Sequence, residues 1–276
     1  MFIIGLTQIH LSPLSTRIAW RQPAQRKENV AKNILSGILI PAVHFREGGV
    51  DRLNKNPHIA LYRHLSFAAV GGFFGAYAIL CRCGVLASAQ TMNLLELTIE
   101  ALRGDGIAVL LHLGALALYV LGTMLTVLLP HYLHVDMHLA APVIDAIACV
   151  ILCFIPAEAN VLLSLYPIFF AMSVQWSSFP GARGFASSTI FSTNNTKQAS
   201  LALAEYITDG DRSHFKKFNF YALTLLAFHI GAAVSFFAVK FMGVRGAWVN
   251  ILLAAVAFYM ALCENKYNAV KNLVNR

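Results

Sequence analysis

The chain has 276 residues, 58% of them hydrophobic and 12% charged, and a formal net charge of +8. Soluble domains carry about 25% charged residues, so this composition excludes an ordinary water-soluble domain and makes the bilayer the solvent. At about 20 apolar residues per transmembrane helix, the apolar stretches predict an all-α polytopic bundle of six to eight membrane helices.

Charge is concentrated at the start. Residues 1–64 hold nine Lys/Arg against Glu28, Glu47 and Asp51, a net +6, while the remainder holds twelve basic residues against ten acidic ones. A basic arm (1–60) ahead of the first span reads as a cytoplasmic anchor by the positive-inside rule, helped by anionic lipid headgroups. No aromatic or basic periodicity accompanies it, so nucleic-acid binding is the weaker reading. Residues 29–44 have some amphipathic character, as a surface helix would. Residues 1–9 are apolar without a basic lead or a small-residue cleavage site, unlike a signal peptide.

The membrane domain is expected over 61–265, as one half at 61–157 and a second at 160–265, followed by a basic tail at 266–276. The first span, 65–80, carries Gly71, Gly72 and Gly75 on one side, a small-residue face suited to close helix packing. The second segment, 85–102, is polar where lipid-soluble sequence would be expected: Gln90, Thr91, Asn93, Glu96 and Glu100. The third, 107–129, contains Gly122 and ends at Pro130 before a His-rich turn. The fourth, 139–157, has Asp145 near its middle.

The later segments follow the same plan. Residues 161–179 are interrupted by Pro167, and a Pro-Gly turn follows at 180–184. Residues 185–207 carry the second polar element: Ser192, Thr193, Asn195, Lys197, Gln198 and Glu205. Residues 221–241 contain His229 and Gly231, and 247–263 form the last span. Superposing Thr91 on Thr193 pairs Asn93 with Asn195 and Glu96 with Gln198. Four helices plus four, all crossing, would give halves of the same orientation. If both polar helices dip in and return, each half has three spans and the halves are inverted. Positive-inside counting leaves both models standing, each with cytoplasmic termini, and length favours eight.

Gln90, Asn93, Glu96 and Glu100 recur at three- to four-residue spacing and form one broad stripe on a helix. Ser192, Asn195, Gln198 and Glu205 form another. Unpaired amides and carboxylates are costly in hydrocarbon, so both stripes should face protein or water. One reading makes them the lining of a shared solute cavity between the halves. The other makes them hydrogen-bonding glue, worth on the order of 0.6 kcal/mol per contact. Asp145 reads either as a proton or cation site or as a partner of His112, His229 or Lys197. Lys197 would neutralise Glu96 or Glu205, or bind an anionic solute. His112 and His229 read as core histidines. The five cysteines match no disulfide or zinc spacing, and no catalytic, phosphate-binding or metal motif is present. The expectation is a non-enzyme without cofactor or metal.

At Gly71-Gly72-Phe73, Gly84-Val85-Leu86, Gln90-Thr91-x-Asn93 and Thr193-x-Asn195 the chain resembles the YoaK-like family, bacterial multi-pass membrane proteins classed as a domain of unknown function. The resemblance covers roughly residues 61–264 and implies an inner-membrane location. Three positions depart from the family pattern: an acid would fall at Gly75, and the glycines of its two Thr-Gly-Asn motifs are Met92 and Asn194 here. The combined expectation is a transporter or channel-like protein. Gln90, Thr91, Asn93, Glu96, Thr193, Asn195, Lys197 and Gln198 would bind a small polar or ionic solute. Glu100, Asp145 and Glu205 would carry protons or cations. The alternative is a non-transporting scaffold or partner-binding protein, which the missing acid and glycines favour.

Overall fold

The computed structural model describes residues 56–274. Most of the basic arm, including the amphipathic stretch at 29–44, lies outside them. Among the described residues the chain forms an all-α bundle: α1 (Pro57–Cys81), α2 (Gln90–Arg103), α3 (Gly106–Leu133), α4 (Met137–Phe154), α5 (Val161–Ser178), α6 (Thr193–Asp209), α7 (Arg212–Met242) and α8 (Trp248–Val274). A 3₁₀ turn, Gly243–Ala247, joins α7 to α8. The strands β1 (Gly181–Ala182) and β2 (Phe185–Ala186) pair antiparallel as a small hairpin before α6.

Five helical segments are long and apolar enough to cross a bilayer: α1, α3, α4, α5 and the run Arg212–Lys271, which contains both α7 and most of α8. The polar helices are not among them. At 1.5 Å per residue, the 14 residues of α2 and the 17 of α6 reach about 21 and 25 Å, short of a hydrocarbon core of about 30 Å. The expected second and sixth spans are therefore corrected. Residues 85–89 are not helical, and 185–192 form the second strand and an irregular connection. Ser187, Ser188 and Thr189 are buried in that connection, where their hydroxyls bond Asn195, the Ile190 backbone N–H and Gln175. Pro167 does not break α5, which runs through it, and α3 continues past Pro130 to Leu133. Membrane helices tolerate proline because neighbours can take up the freed backbone groups.

Helix ends follow local chemistry. The side chains of Asp105 and Asp211 cap the backbone N–H groups of Ile107 and Ser213, starting α3 and α7. Gly104 and Gly210 end α2 and α6 in the left-handed conformation. The Ser213 backbone N–H and hydroxyl hold the Asp211 carboxyl below the usual carboxylate range. Two short turns match in backbone form: Cys83 and Gly84 have φ of 50° and 81°, Arg183 and Gly184 have 56° and 84°.

Packing is reciprocal. The first helix, α1, lies mainly against α7 and α8, whereas α5 lies mainly against α3 and α4; α2 packs on α3, α6 on α7, and α4 on α8. The contacts are close because small residues face backbone. A Cβ on Gly72 would overlap the carbonyl oxygen of Phe228, and one on Gly231 would overlap that of Ala69. On the other pair, a Cβ on Gly122 would overlap the Ser173 hydroxyl. The largest core is aromatic and aliphatic, with Phe67, Phe73, Phe74, Tyr77, Phe169 and Phe179 fully buried. Leu110, Val127, Leu226, Phe237 and Leu252 are exposed, as lipid-facing residues are on a membrane bundle.

Candidate functional site

Hydrogen bonds define two ends of the bundle. At one end Arg82, buried just after α1, donates to the carbonyls of Pro156 and Ala157 ahead of α5, each at 3.0 Å. Tyr77 donates there to Val244 in the 3₁₀ turn, at 2.8 Å. At the other end Arg63, near the start of α1, forms a buried ion pair with Glu264 of α8. Its second guanidinium nitrogen donates to the Gly181 carbonyl, and the group lies over the Phe179 ring. Arg183 donates to the Pro57 carbonyl at 3.0 Å, and Asp136 accepts from Asn265.

The two polar helices lie at opposite ends. In α2, the Asn93 amide nitrogen donates to the Gln90 side-chain oxygen at 3.0 Å and to the His112 carbonyl at 3.1 Å. Its oxygen faces His112 Nδ1 at 2.9 Å. In α6, Asn195 is equally buried but is bonded differently. Its nitrogen donates to the Ser188 and Phe191 carbonyls, and its oxygen accepts from Ser187. Ser187 in turn meets His64 Nε2 of α1 at 3.0 Å. The expected common lining is thereby corrected: each stripe turns toward its own neighbourhood, because each short helix packs on the helix that follows it.

The remaining expected residues scatter. Thr91, Thr193 and Lys197 are exposed, and Gln198 is half-buried. Glu100 pairs with Arg103 at 2.7 Å. Glu205 pairs with His214 at 3.0 Å and Lys217 at 3.6 Å, so Lys197 is not its partner. Asp145 is fully buried in α4, and neither carboxyl oxygen has a hydrogen-bond partner. His112 and His229 do not serve it: His112 is engaged by Asn93, and His229 Nδ1 bonds the Leu225 carbonyl at 2.7 Å. Asn250 of α8, also fully buried, stands beside Cys149 of α4.

One pocket of about 260 Å³ opens at the α2 end. Glu96 of α2, His112 of α3 and Asn160 at the start of α5 supply its polar groups, and Val85, Leu111 and Leu162 its apolar wall. Glu96 Oε2 stands 3.9 Å from His112 Nε2; the glutamate side chain is 33% exposed and the histidine 10%. Of the expected solute-binding residues, Glu96 lines this pocket, while Asn93, itself bonded to Gln90, holds the His112 ring that lines it too. No three His, Cys, Asp or Glu side chains gather as metal ligands among the described residues.

Sequence reasoning missed the Arg63–Glu264 pair, the Arg82 cap and Gln175, whose buried amide donates to the Phe67 carbonyl and to Thr189. Arg63 fell among the basic residues of 1–64, and its separation of 201 positions from Glu264 gave no local signal. An uncompensated glutamine inside the predicted 161–179 span was the one visible clue for Gln175.

No curated protein and no solved structure matches the chain. A family model described as a protein of unknown function does match, over residues 64–261, in agreement with the domain of unknown function that the resemblance implied. With several helices able to cross a bilayer and most of its length within that match, the chain is a multi-pass membrane protein belonging to the family described as "Protein of unknown function (DUF1275)".

Proposed function

We propose that the protein is a non-enzymatic bacterial inner-membrane transporter of a small solute, built from two homologous halves of opposite orientation, with both termini cytoplasmic. The observation that carries this reading is the reciprocal packing. Exchanging α1–α4 for α5–α8 turns the α1–α7 and α1–α8 contacts into α5–α3 and α5–α4, and leaves α4–α8 in place. The left-handed turns at Cys83-Gly84 and Arg183-Gly184 exchange in the same way. Arg82 and Arg183 stand one position out of step in that exchange, yet each donates to backbone carbonyls of the other half, Arg82 just ahead of α5 and Arg183 at the first residue of α1. Because α2 and α6 lie at opposite ends, six crossings with inverted halves fit better than eight, an arrangement recurrent among transporters.

This topology has a direct test. In a cysteine-free background, Arg103→Cys and Thr208→Cys should react with a membrane-impermeant maleimide from opposite sides of oriented vesicles. Labelling of both from the same side would refute the inversion.

Asp145 is the coupling group in this reading. A carboxyl without partners inside a membrane bundle holds either a proton or a cation, and such residues mark ion pathways. Uptake of a panel of small organic cations and anions into proteoliposomes should exceed that of protein-free liposomes. Asp145→Asn should abolish pH-gradient-driven accumulation while leaving counterflow measurable. Equal accumulation by the two proteins would remove Asp145 from the mechanism, and no uptake by either would remove transport. The scaffold alternative draws on the dense α1–α7 seam and on the separate surroundings of Asn93 and Asn195.

A further inference from the structure

The hydrogen bonds around Asn93 fix the chemistry of the pocket. Its amide nitrogen has two acceptors, the Gln90 side-chain oxygen and the His112 carbonyl, which sets the amide orientation. Its oxygen, an acceptor only, faces His112 Nδ1, so Nδ1 carries the proton. In the neutral ring Nε2 is then a bare lone pair. That lone pair looks across 3.9 Å at the Glu96 carboxylate, another acceptor. Two acceptors converge with no donor between them, one held by a nearly buried ring and the other by a partly exposed acid.

We propose that this gap binds the ammonium group of a small amphiphilic amine, with N–H donors bridging His112 Nε2 and Glu96 Oε2. An ammonium has three donors and no acceptor, the complement of the His112–Glu96 pair; Asn160, whose oxygen caps Leu163, leaves its amide nitrogen for a polar group elsewhere on the molecule. Val85, Leu111 and Leu162 would take the apolar body of the molecule, and about 260 Å³ is room for a small one. A divalent metal is a poorer occupant, since no third His, Cys, Asp or Glu joins the pair among the described residues. The proposal deepens the solute-binding reading and does not require transport.

Binding of phenethylammonium to the full-length protein in nanodiscs, measured by calorimetry, tests it. Wild type should bind saturably, and 2-phenylethanol, which lacks the positive charge, at least tenfold more weakly. Glu96→Gln should weaken phenethylammonium at least tenfold. His112→Phe should do likewise but also perturbs packing, so Asn93→Ser provides a second route. It frees the ring to turn and should weaken binding several-fold while the fold, followed by thermal unfolding, persists. Equal affinity for the alcohol, or an unchanged Glu96→Gln variant, would overturn the proposal. So would a wild type that binds no amine and only protonates His112 against Glu96. Amine binding without liposome flux would sustain this inference and refute transport.

Discussion

Gly72→Ala is expected to destabilise the protein by about 3 kcal/mol or more, whereas Gly75→Ala, one turn along the same helix, changes stability by less than about 1 kcal/mol. The contrast follows from what each new methyl group would meet. At Gly72 it runs into the Phe228 carbonyl, which belongs to backbone and cannot rotate away; at Gly75 it lies 3.7 Å from the side chains of Leu86 and Phe228, ordinary contact. Lipid tails are as apolar as the helix surfaces, so helices in a bilayer are held by close packing and little by hydrophobic burial. Forcing α1 from α7 therefore removes much of what joins them. Gly231→Ala should behave like Gly72→Ala, since its methyl meets the Ala69 carbonyl of the same crossing. The double variant should lose less than the sum, because one separation relieves both clashes. Thermal unfolding in matched detergent provides the measurement, and equal tolerance at positions 72 and 75 would contradict the crossing.

Glu264→Gln and Arg63→Met should each cost about 3–5 kcal/mol, since either leaves a buried charge without its partner. Both side chains are at most 4% exposed. Changing both, as Arg63→Met with Glu264→Leu, should recover most of the loss, because apolar residues of similar volume carry no desolvation penalty. Recovery will be partial. Arg63 also donates to Gly181 and lies over Phe179, holding the hairpin before α6 against α1. The thermodynamic cycle thus separates the ion pair from the hairpin contact: a coupling energy near zero would mean that the carboxylate does little for Arg63.

Composition and apolar run length were enough to establish a helical membrane bundle, because filling about 30 Å of hydrocarbon constrains every span separately. Helix order was equally local: the Gly104-Asp105 and Gly210-Asp211 stops and starts, and the small-residue face of α1, depend on neighbours within a few positions. The twin Thr-x-Asn elements were also visible, as two short polar helices. Their direction was not. Asn93 and Asn195 occupy like places in the chain, yet one anchors His112 and the other Ser187 and Ser188. Only the fold supplies those partners. Likewise Glu96 was readable as a polar residue, but its pocket needs α3 and the start of α5 beside it. Arg63 and Glu264 meet because α1 and α8 pack side by side. A residue pattern reports what each helix face prefers; which face answers it was decided by the exchange of α1 and α5 between the two sets of neighbours.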